Sequence, residues 1–544
     1  MGTLTLPVVR MSVVLIGSSG GGTATLGHTD PAELLNTIHQ ELLKVEDASG
    51  ITSALFVSLH GGKGFDSACD TDKATLYSVS EGSGGECSVQ VVKSGKLKDV
   101  NQRCVELDKA LAQQIFKGEI TGLICISCDV DVHSSTLKAA AEKKLPVTGS
   151  GGTSLSAASS KFGIHLVGNA GGSVATTSYT RAVSYTHALA TAWAKRYRPF
   201  ASQRHVPQWT SILCACLPAF WAVALACRAL NLVMPLLSDP ATLRKLLILL
   251  QTHALPTVCS VVMATSLAPH HGSTVLMSSA LASVLCERSV LGGLSAGWLV
   301  ATLAQRVLYG CIAWDVPATM TNLVVAGGLG VFVALTIAPV VPYFQLLTEL
   351  IRQIIHTVLD GRFPGVGFLF GVLFCWGSKY GYYHAVCLPL ILIEMETGTG
   401  ALCGSIDEAT LVCVSAGICL ANLVVTPSLD DQGIDETLAL SQRGLRINLL
   451  FGDFIEAAYP FMEKSHVVNI AGYLASGLST ELLTGASELV LSSAYLPLPL
   501  AILLAKDPFR VSVAFAVAFT LSFLGALASN LLNRRDQSET EKKT

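Results

Sequence analysis

Two kinds of hydrophobic pattern divide the chain near Pro199. Before it, short β-branched runs alternate with stretches of helical period. Met11–Ile16, Thr52–Ser58, Gly122–Ser127 and Gly163–Val167 read as strands, and Pro31–Val45, Val105–Phe116, Ser134–Lys144 and Ala175–Tyr197 as helices. Strands alternating with helices predict an α/β, Rossmann-like domain over residues 1–200, with a mainly parallel sheet and ligands at the carboxyl ends of its strands.

From Trp209 onward the apolar runs lengthen: Ser211–Leu236, Leu246–Leu267, Ser273–Leu285, Leu291–Trp314 and Ala318–Tyr343. After these come Val366–Trp376, Ala385–Met395, Ala409–Val425, His466–Leu483, Leu489–Ala505 and Phe509–Leu532. Several reach the roughly twenty residues that a spanning helix needs, and others fall short. Short, polar-ended apolar segments are expected as re-entrant hairpins that line a cavity or pack inside protein. The pattern predicts an all-α polytopic membrane domain over 201–535 with about ten spans, followed by a polar tail at 536–544. Between spans, Tyr343–Asp360 carries Leu346, Leu347, Leu350, Ile351, Ile354, Ile355 and Leu359 as one apolar stripe. It reads as an amphipathic helix at the membrane interface, or equally as a helix that links domains or packs a dimer.

Composition supports a lipid bilayer as the second solvent. Of 544 residues, 51% are hydrophobic and only 14% charged, against about a quarter charged in a soluble globule. The net charge of −3 and the lack of a basic stripe exclude nucleic acid as a partner. Many of the 16 cysteines lie in apolar runs and read as small buried hydrophobes. The N-terminus has neither the cationic region nor the small-residue cleavage site of a signal peptide. Lys195, Arg196, Arg198 and Arg204 precede the first span, and Arg534, Arg535, Lys542 and Lys543 follow the last. The positive-inside rule then predicts an integral membrane protein with both termini cytoplasmic and an even number of spans.

Glycines gather at the predicted strand ends. Gly17, Ser18, Ser19, Gly20, Gly21 and Thr23 follow the first strand, Gly149, Ser150, Gly151 and Thr153 follow Pro146-Val147, and Gly168, Gly171, Gly172 and Ser173 open the long helix. Leu59-His-Gly-Gly-Lys-Gly ends the second strand. Converging backbone N–H groups and a helix N-terminus suit an anion such as a sugar phosphate, while tight-turn sterics explain the glycines equally well. No Walker or dinucleotide pattern is present, so no cofactor is implied. Cys128 follows a strand, as a nucleophile would, but Asp129 and Asp131 oppose a thiolate and favour a structural thiol.

Two constellations carry the functional argument. Phe374-Cys-Trp-Gly-Ser-Lys-Tyr-Gly-Tyr-Tyr-His384 runs on to Glu396, placing Trp376, Lys379, His384, Glu394 and Glu396 among apolar residues. Phe451-Gly-Asp-Phe-Ile-Glu-Ala-Ala-Tyr-Pro-Phe461 places Asp453 and Glu456 in a short hydrophobic stretch broken by Pro460. Ionisable groups at membrane depth are costly, which makes these residues candidates for a substrate site. No metal-binding spacing appears.

The second constellation, in its spacing, its small residues after Glu456 and its Pro-Phe, resembles the glutamate motif of the sugar-transporting IIC component of bacterial phosphotransferase systems, in the glucose–fructose–lactose superfamily. The first resembles that family's aromatic–glycine segment ending near a histidine. The resemblance covers about the last two hundred residues. It implies a sugar substrate, a re-entrant hairpin carrying Glu456 as the principal ligand, and a homodimer. His384 and Asn448 are then its expected neighbours, and Trp376 or Tyr459 covers an apolar sugar face. The N-terminal domain does not resemble the phosphorylated partner domain of such systems. A membrane-embedded enzyme using His384 with Glu456, or His270-His271, and a membrane-anchored ligand sensor are the competing readings.

Overall fold

The computed structural model describes residues 10–22, 30–81, 87–170, 177–199, 208–236, 241–359, 363–396, 401–427, 431–484 and 494–541. The chain forms two compact units. One comprises Met1–Val206, Ala264–Ala282 and Trp298–Val333, and the other Pro207–Met263, Ser283–Gly297 and Ala334–Thr544.

The first unit is built on a seven-stranded mixed sheet. Its strands are β1 (Met11–Ser18), β2 (Ala48–Leu59), β3 (Lys73–Glu81), β4 (Cys87–Lys96), β5 (Gly122–Ile126), β6 (Pro146–Ser150) and β7 (His165–Asn169), in the order β4-β3-β2-β1-β5-β6-β7. The five strands from β2 to β7 run parallel, and β3 and β4 add an antiparallel hairpin at one edge. This hairpin was not among the expected strands. Helices α1 (Pro31–Leu42), α2 (Leu97–Phe116), α3 (Ser134–Glu142), α4 (Gly152–Phe162) and α5 (Ser178–Ala192) follow the sheet strands. Val14 and Ile16 pack with α2, α3 and α4, while Val13 and Leu15 pack with α1 and α5. Burial on both faces explains why β1 reads as an unbroken apolar run.

Neighbouring strands approach closely at their carboxyl ends. A Cβ on Gly17 would lie 1.9 Å from the Ile126 carbonyl oxygen, and one on Gly149 1.9 Å from that of Cys125. Behind β5, Asp108 of α2 accepts from Ser135 N at 2.8 Å and Thr136 N at 3.2 Å. It thereby caps α3, whose own N-cap, His133, makes no side-chain cap bond. Burial works against ionisation of Asp108, but the interactions with His133 and Thr136 prevail and hold its carboxyl below the usual aspartate range.

Among the described residues, six helices are long and apolar enough to cross a membrane: Trp209–Asn231, Ala241–Leu267, Val290–Ala313, Met320–Ile337, Leu402–Val424 and Pro508–Arg535. Ser273–Ala282, Val366–Lys379 and Tyr383–Met395 are apolar but shorter. Thus six of the roughly ten expected spans reach spanning length. In the second unit Leu402–Val424 is 89% buried, which makes it the central helix. Small residues permit its contacts: a Cβ on Gly417 would meet Ser522 Oγ at 2.2 Å. Gly371 likewise lies against Thr480 and Ser476. The amphipathic helix spans Val341–Leu359 and presents part of its apolar stripe outward. Leu346, Leu347, Leu350 and Ile354 are exposed, whereas Thr348, Ile355 and Leu359 are buried.

Two predictions follow from the first unit. Gly149→Ala forces a methyl group into the Cys125 carbonyl and costs about 3 kcal/mol, whereas Gly95→Ala, with no atom within 4 Å of the added methyl, stays within about 0.5 kcal/mol. Thermal unfolding of the full chain in detergent reads both. Because the native carboxyl of Asp108 is depressed, its contribution to stability is complete above the unfolded value of about 3.9. It is lost as pH falls through the lower native value. Asp108→Asn therefore flattens the acid limb of an unfolding-versus-pH curve.

Candidate functional site

In the second unit, both sequence constellations meet around one cavity. Val366–Lys379 ends at Ser378 and Lys379, the chain turns through Gly381 at φ 83°, and a π-helical turn Tyr383–Cys387 opens the next helix. The other wall begins where Asp431–Phe451 stops. Gly452 has φ 67°, and a Cβ there would meet the Leu496 carbonyl oxygen at 2.2 Å. Only glycine meets both conditions. Asp453 and Phe454 follow, then the 3₁₀ turn Ile455–Ala458 and the short helix Tyr459–Lys464, with Pro460 in its first turn.

The cavity has a volume of about 310 Å³. Asp407, Asp453, Glu456, Lys379 and His384 line it, with the rings of Tyr383, Tyr459 and Tyr495. Asp453, Glu456 and His384 are exposed at its mouth, while Asp407 and Tyr383 are buried. Glu456 is therefore open to the cavity, not enclosed among its apolar neighbours. Ser378 Oγ and the Tyr459 hydroxyl are 2.6 Å apart, the hydroxyls of Tyr383 and Tyr495 are hydrogen-bonded, and Trp221 Nε1 donates to the Tyr495 carbonyl at 3.2 Å. Lys379 Nζ donates to Asn469 Oδ1 at 3.0 Å. Among the described residues, neither Asp453 nor Glu456 accepts a hydrogen bond, so both remain available to a ligand.

Four of the sequence candidates lie elsewhere. Asn448 supports the loop from beneath: Phe454 N donates to its Oδ1 at 2.9 Å, and its Nδ2 donates to the Phe454 carbonyl at 3.2 Å and to Ser415 Oγ at 2.9 Å. Trp376 is half exposed and stacks on Tyr382, with ring centroids 5.9 Å apart. Glu394 is buried and accepts from Cys403 N at 2.7 Å. Glu396 accepts from Val290 N at 2.5 Å and borders a second cavity of about 700 Å³. There Arg352 pairs with Glu349 at 2.5 Å and with Glu396 at 3.6 Å. Asp407, Tyr383 and Tyr495 were not singled out by sequence. The signal for Asp407 was the apolar run around Ser405-Ile-Asp-Glu-Ala-Thr, with two acids embedded in it.

In the glycine loops of the first unit, the hydroxyls bond to neighbouring loops. Ser18 Oγ donates to the Ser127 carbonyl at 2.8 Å, Ser19 Oγ accepts from Leu59 N at 3.4 Å, and Ser150 Oγ accepts from the Tyr185 hydroxyl at 2.6 Å. A Cβ would meet Ser127 at 2.5 Å from Gly20 and at 2.6 Å from Gly151, and Ala188 at 2.5 Å from Gly168. Gly21 packs against Gly64, and Thr153 is exposed. Thr23, Gly171, Gly172 and Ser173 lie outside the described residues. Cys128 is 1% exposed. A hydrogen bond with Cys125 holds its thiol below the ordinary range, against the effect of burial.

No protein-family model matches the chain, and no curated protein matches it.

Asn448→Ala leaves the Phe454 amide and carbonyl and the Ser415 hydroxyl without these partners. The expected cost is about 2 kcal/mol, read as a lower thermal midpoint of the full chain in detergent.

Proposed function

We propose that the protein is a membrane transporter of a sugar or sugar derivative working by alternating access, with Glu456 binding substrate hydroxyls. The observation that supports this reading is the cavity itself, in which unbonded carboxylates stand beside tyrosine rings within a largely apolar helical unit. A carboxylate accepts two hydroxyl hydrogen bonds, and a ring covers an apolar sugar face. Such a pair fixes a sugar's orientation. Asp453 and His384 are the neighbours best placed to share its hydroxyls, and of Trp376 and Tyr459 it is Tyr459 that borders the cavity and covers the sugar face.

Charge selects among sugars. Three carboxylates face one lysine, already bonded to Asn469, and one histidine. A neutral polyhydroxylated solute suits this lining, and a sugar phosphate is repelled by it. In this proposal the shorter apolar helices are re-entrant or complete about ten crossings, both termini are cytoplasmic, and the carrier is a homodimer, as the resemblance to the IIC permeases implies. The N-terminal domain regulates transport or binds a ligand.

Uptake of radiolabelled hexoses, amino sugars and sugar phosphates into vesicles containing the purified protein tests the reading. Saturable uptake of a neutral sugar is expected, reduced about 10- to 100-fold by Glu456→Gln, as the loss of a charge-assisted hydrogen bond predicts. Folded wild-type protein that moves none of these compounds would overturn it.

A further inference from the structure

The floor of the cavity holds an acid that substrate binding does not require. Asp407 and Glu408 are consecutive in the helix Leu402–Val424, where a π-helical turn, Glu408–Cys413, begins. Such turns recur at functional sites. Asp407 is 3% exposed and Glu408 0%. Glu408 Oε1 accepts from Leu496 N at 2.8 Å, next to Tyr495 in the cavity wall. Its Oε2 and the Oδ1 of Asp407 are both buried without a hydrogen-bond partner among the described residues. Of the two, Asp407 reaches the cavity.

The groups facing Asp407 set its chemistry. Tyr383 and Cys387 come from the helix on one side, Asp453 and Tyr459 from the Gly452 hairpin, and Tyr495 from the loop beyond. Cys403 and Glu408 come from its own helix. None of these carries positive charge. The basic residues of the cavity lining are Lys379 and His384, and the ammonium of Lys379 donates to Asn469. Two adjacent buried carboxylates without a cation repel each other and have lost their hydration, and a proton relieves both penalties. A metal ion is less suited, because no group of three or more His, Cys, Asp or Glu among the described residues is arranged to hold one.

We propose that Asp407 is a proton-binding site that loads and unloads through the cavity. If the carrier reading above holds, this proton is the coupling ion. Loading forms an O–H bond at Asp407 Oδ1 with a proton from hydronium and leaves water. Unloading returns the proton to water on the opposite side, with no redox change. Glu408 holds the Tyr495 loop throughout and does not exchange.

Infrared titration of the full chain in lipid vesicles tests this without any substrate. Asp407→Asn should lose one protonated-carboxyl component that disappears as pH rises in wild type and in Glu408→Gln. No titrating band in wild type, or bands in Asp407→Asn unchanged from wild type, overturn the proposal. If Asp407→Asn does not fold, Asp407→Glu replaces it: a displaced titration supports the assignment, and an unchanged one overturns it. In the same vesicles, an inward proton gradient should raise radiolabelled glucose uptake by wild type and Glu408→Gln, while uptake by Asp407→Asn becomes equal with and without the gradient. A wild type that takes up no sugar but keeps the Asp407 band leaves the proton site standing and overturns the sugar-carrier reading alone. Glucose uptake indifferent to the gradient, with no titrating band, does the reverse.

Discussion

A helix that begins inside an apolar medium leaves its first N–H groups without carbonyl partners, and no water is there to accept from them. Meeting that demand organises the second unit. Glu481 accepts from Gly365 N at 2.9 Å and Phe368 N at 2.8 Å, at the start of Val366–Lys379. Glu396 caps the start of Val290–Ala313, Glu394 the start of Leu402–Val424, and Glu408 holds the amide of Leu496 just before Leu498–Leu504. Asn448 does the same for the break after Phe451, where neutrality lets it serve an amide and a carbonyl at once. A carboxyl oxygen used in this way accepts an otherwise unpartnered amide at or just before a helix N-terminus. These acids are therefore held by the backbone they satisfy.

That distinction explains why the acids picked out in the sequence include some that line the cavity and some that hold backbone amides. An acid in an apolar run is a functional candidate by default, and the rule does not separate a cap from a ligand. Glu394 lies eight residues before Leu402 along the chain, but its role depends on where the intervening segment returns, which no local pattern records. Glu456 and Asp453 were legible because the break at Gly452, the small residues and Pro460 all lie within ten residues. Tyr495 reaches the same cavity from a distant loop through contacts with Trp221 and Tyr383. Asp407 was passed over because the apolar run was started at Ala409, just beyond the two acids.

The first unit was read with similar strengths and gaps. Its buried parallel strands and the helices that pack on them gave strong periodic signals, and α1, α3 and the end of α2 lie where the pattern put them. The β3–β4 hairpin did not stand out, because an edge pair with Ser78, Ser80, Lys93 and Ser94 along it has a mixed polar pattern. At the strand ends, glycine arises from sterics: Gly17 and Gly149 lie where a neighbouring strand's carbonyl fills the space a side chain would need. The amphipathic stripe of Val341–Leu359 was similarly legible in extent but not in direction. Its apolar side faces out and its Arg352 faces in, toward Glu349 and Glu396, the arrangement expected where the surrounding solvent is lipid.

The acids of the second unit thus divide by what they are bonded to. Glu394, Glu396, Glu408 and Glu481 each hold a backbone amide, the first two and Glu481 at a helix start and Glu408 in the loop before one. Asp453, Glu456 and Asp407 hold no such amide among the described residues, and all three border one cavity. Depth then separates them. The two at the mouth are exposed, and in the proposed carrier they exchange water for the hydroxyls of a solute. The one on the floor has lost its water, and with tyrosines and other acids around it a bound proton is the smallest species that restores neutrality. In the proposed carrier, exposed acids above and a buried acid below would link solute entry to the hydration of Asp407, since a solute filling the mouth would exclude the water through which its proton moves.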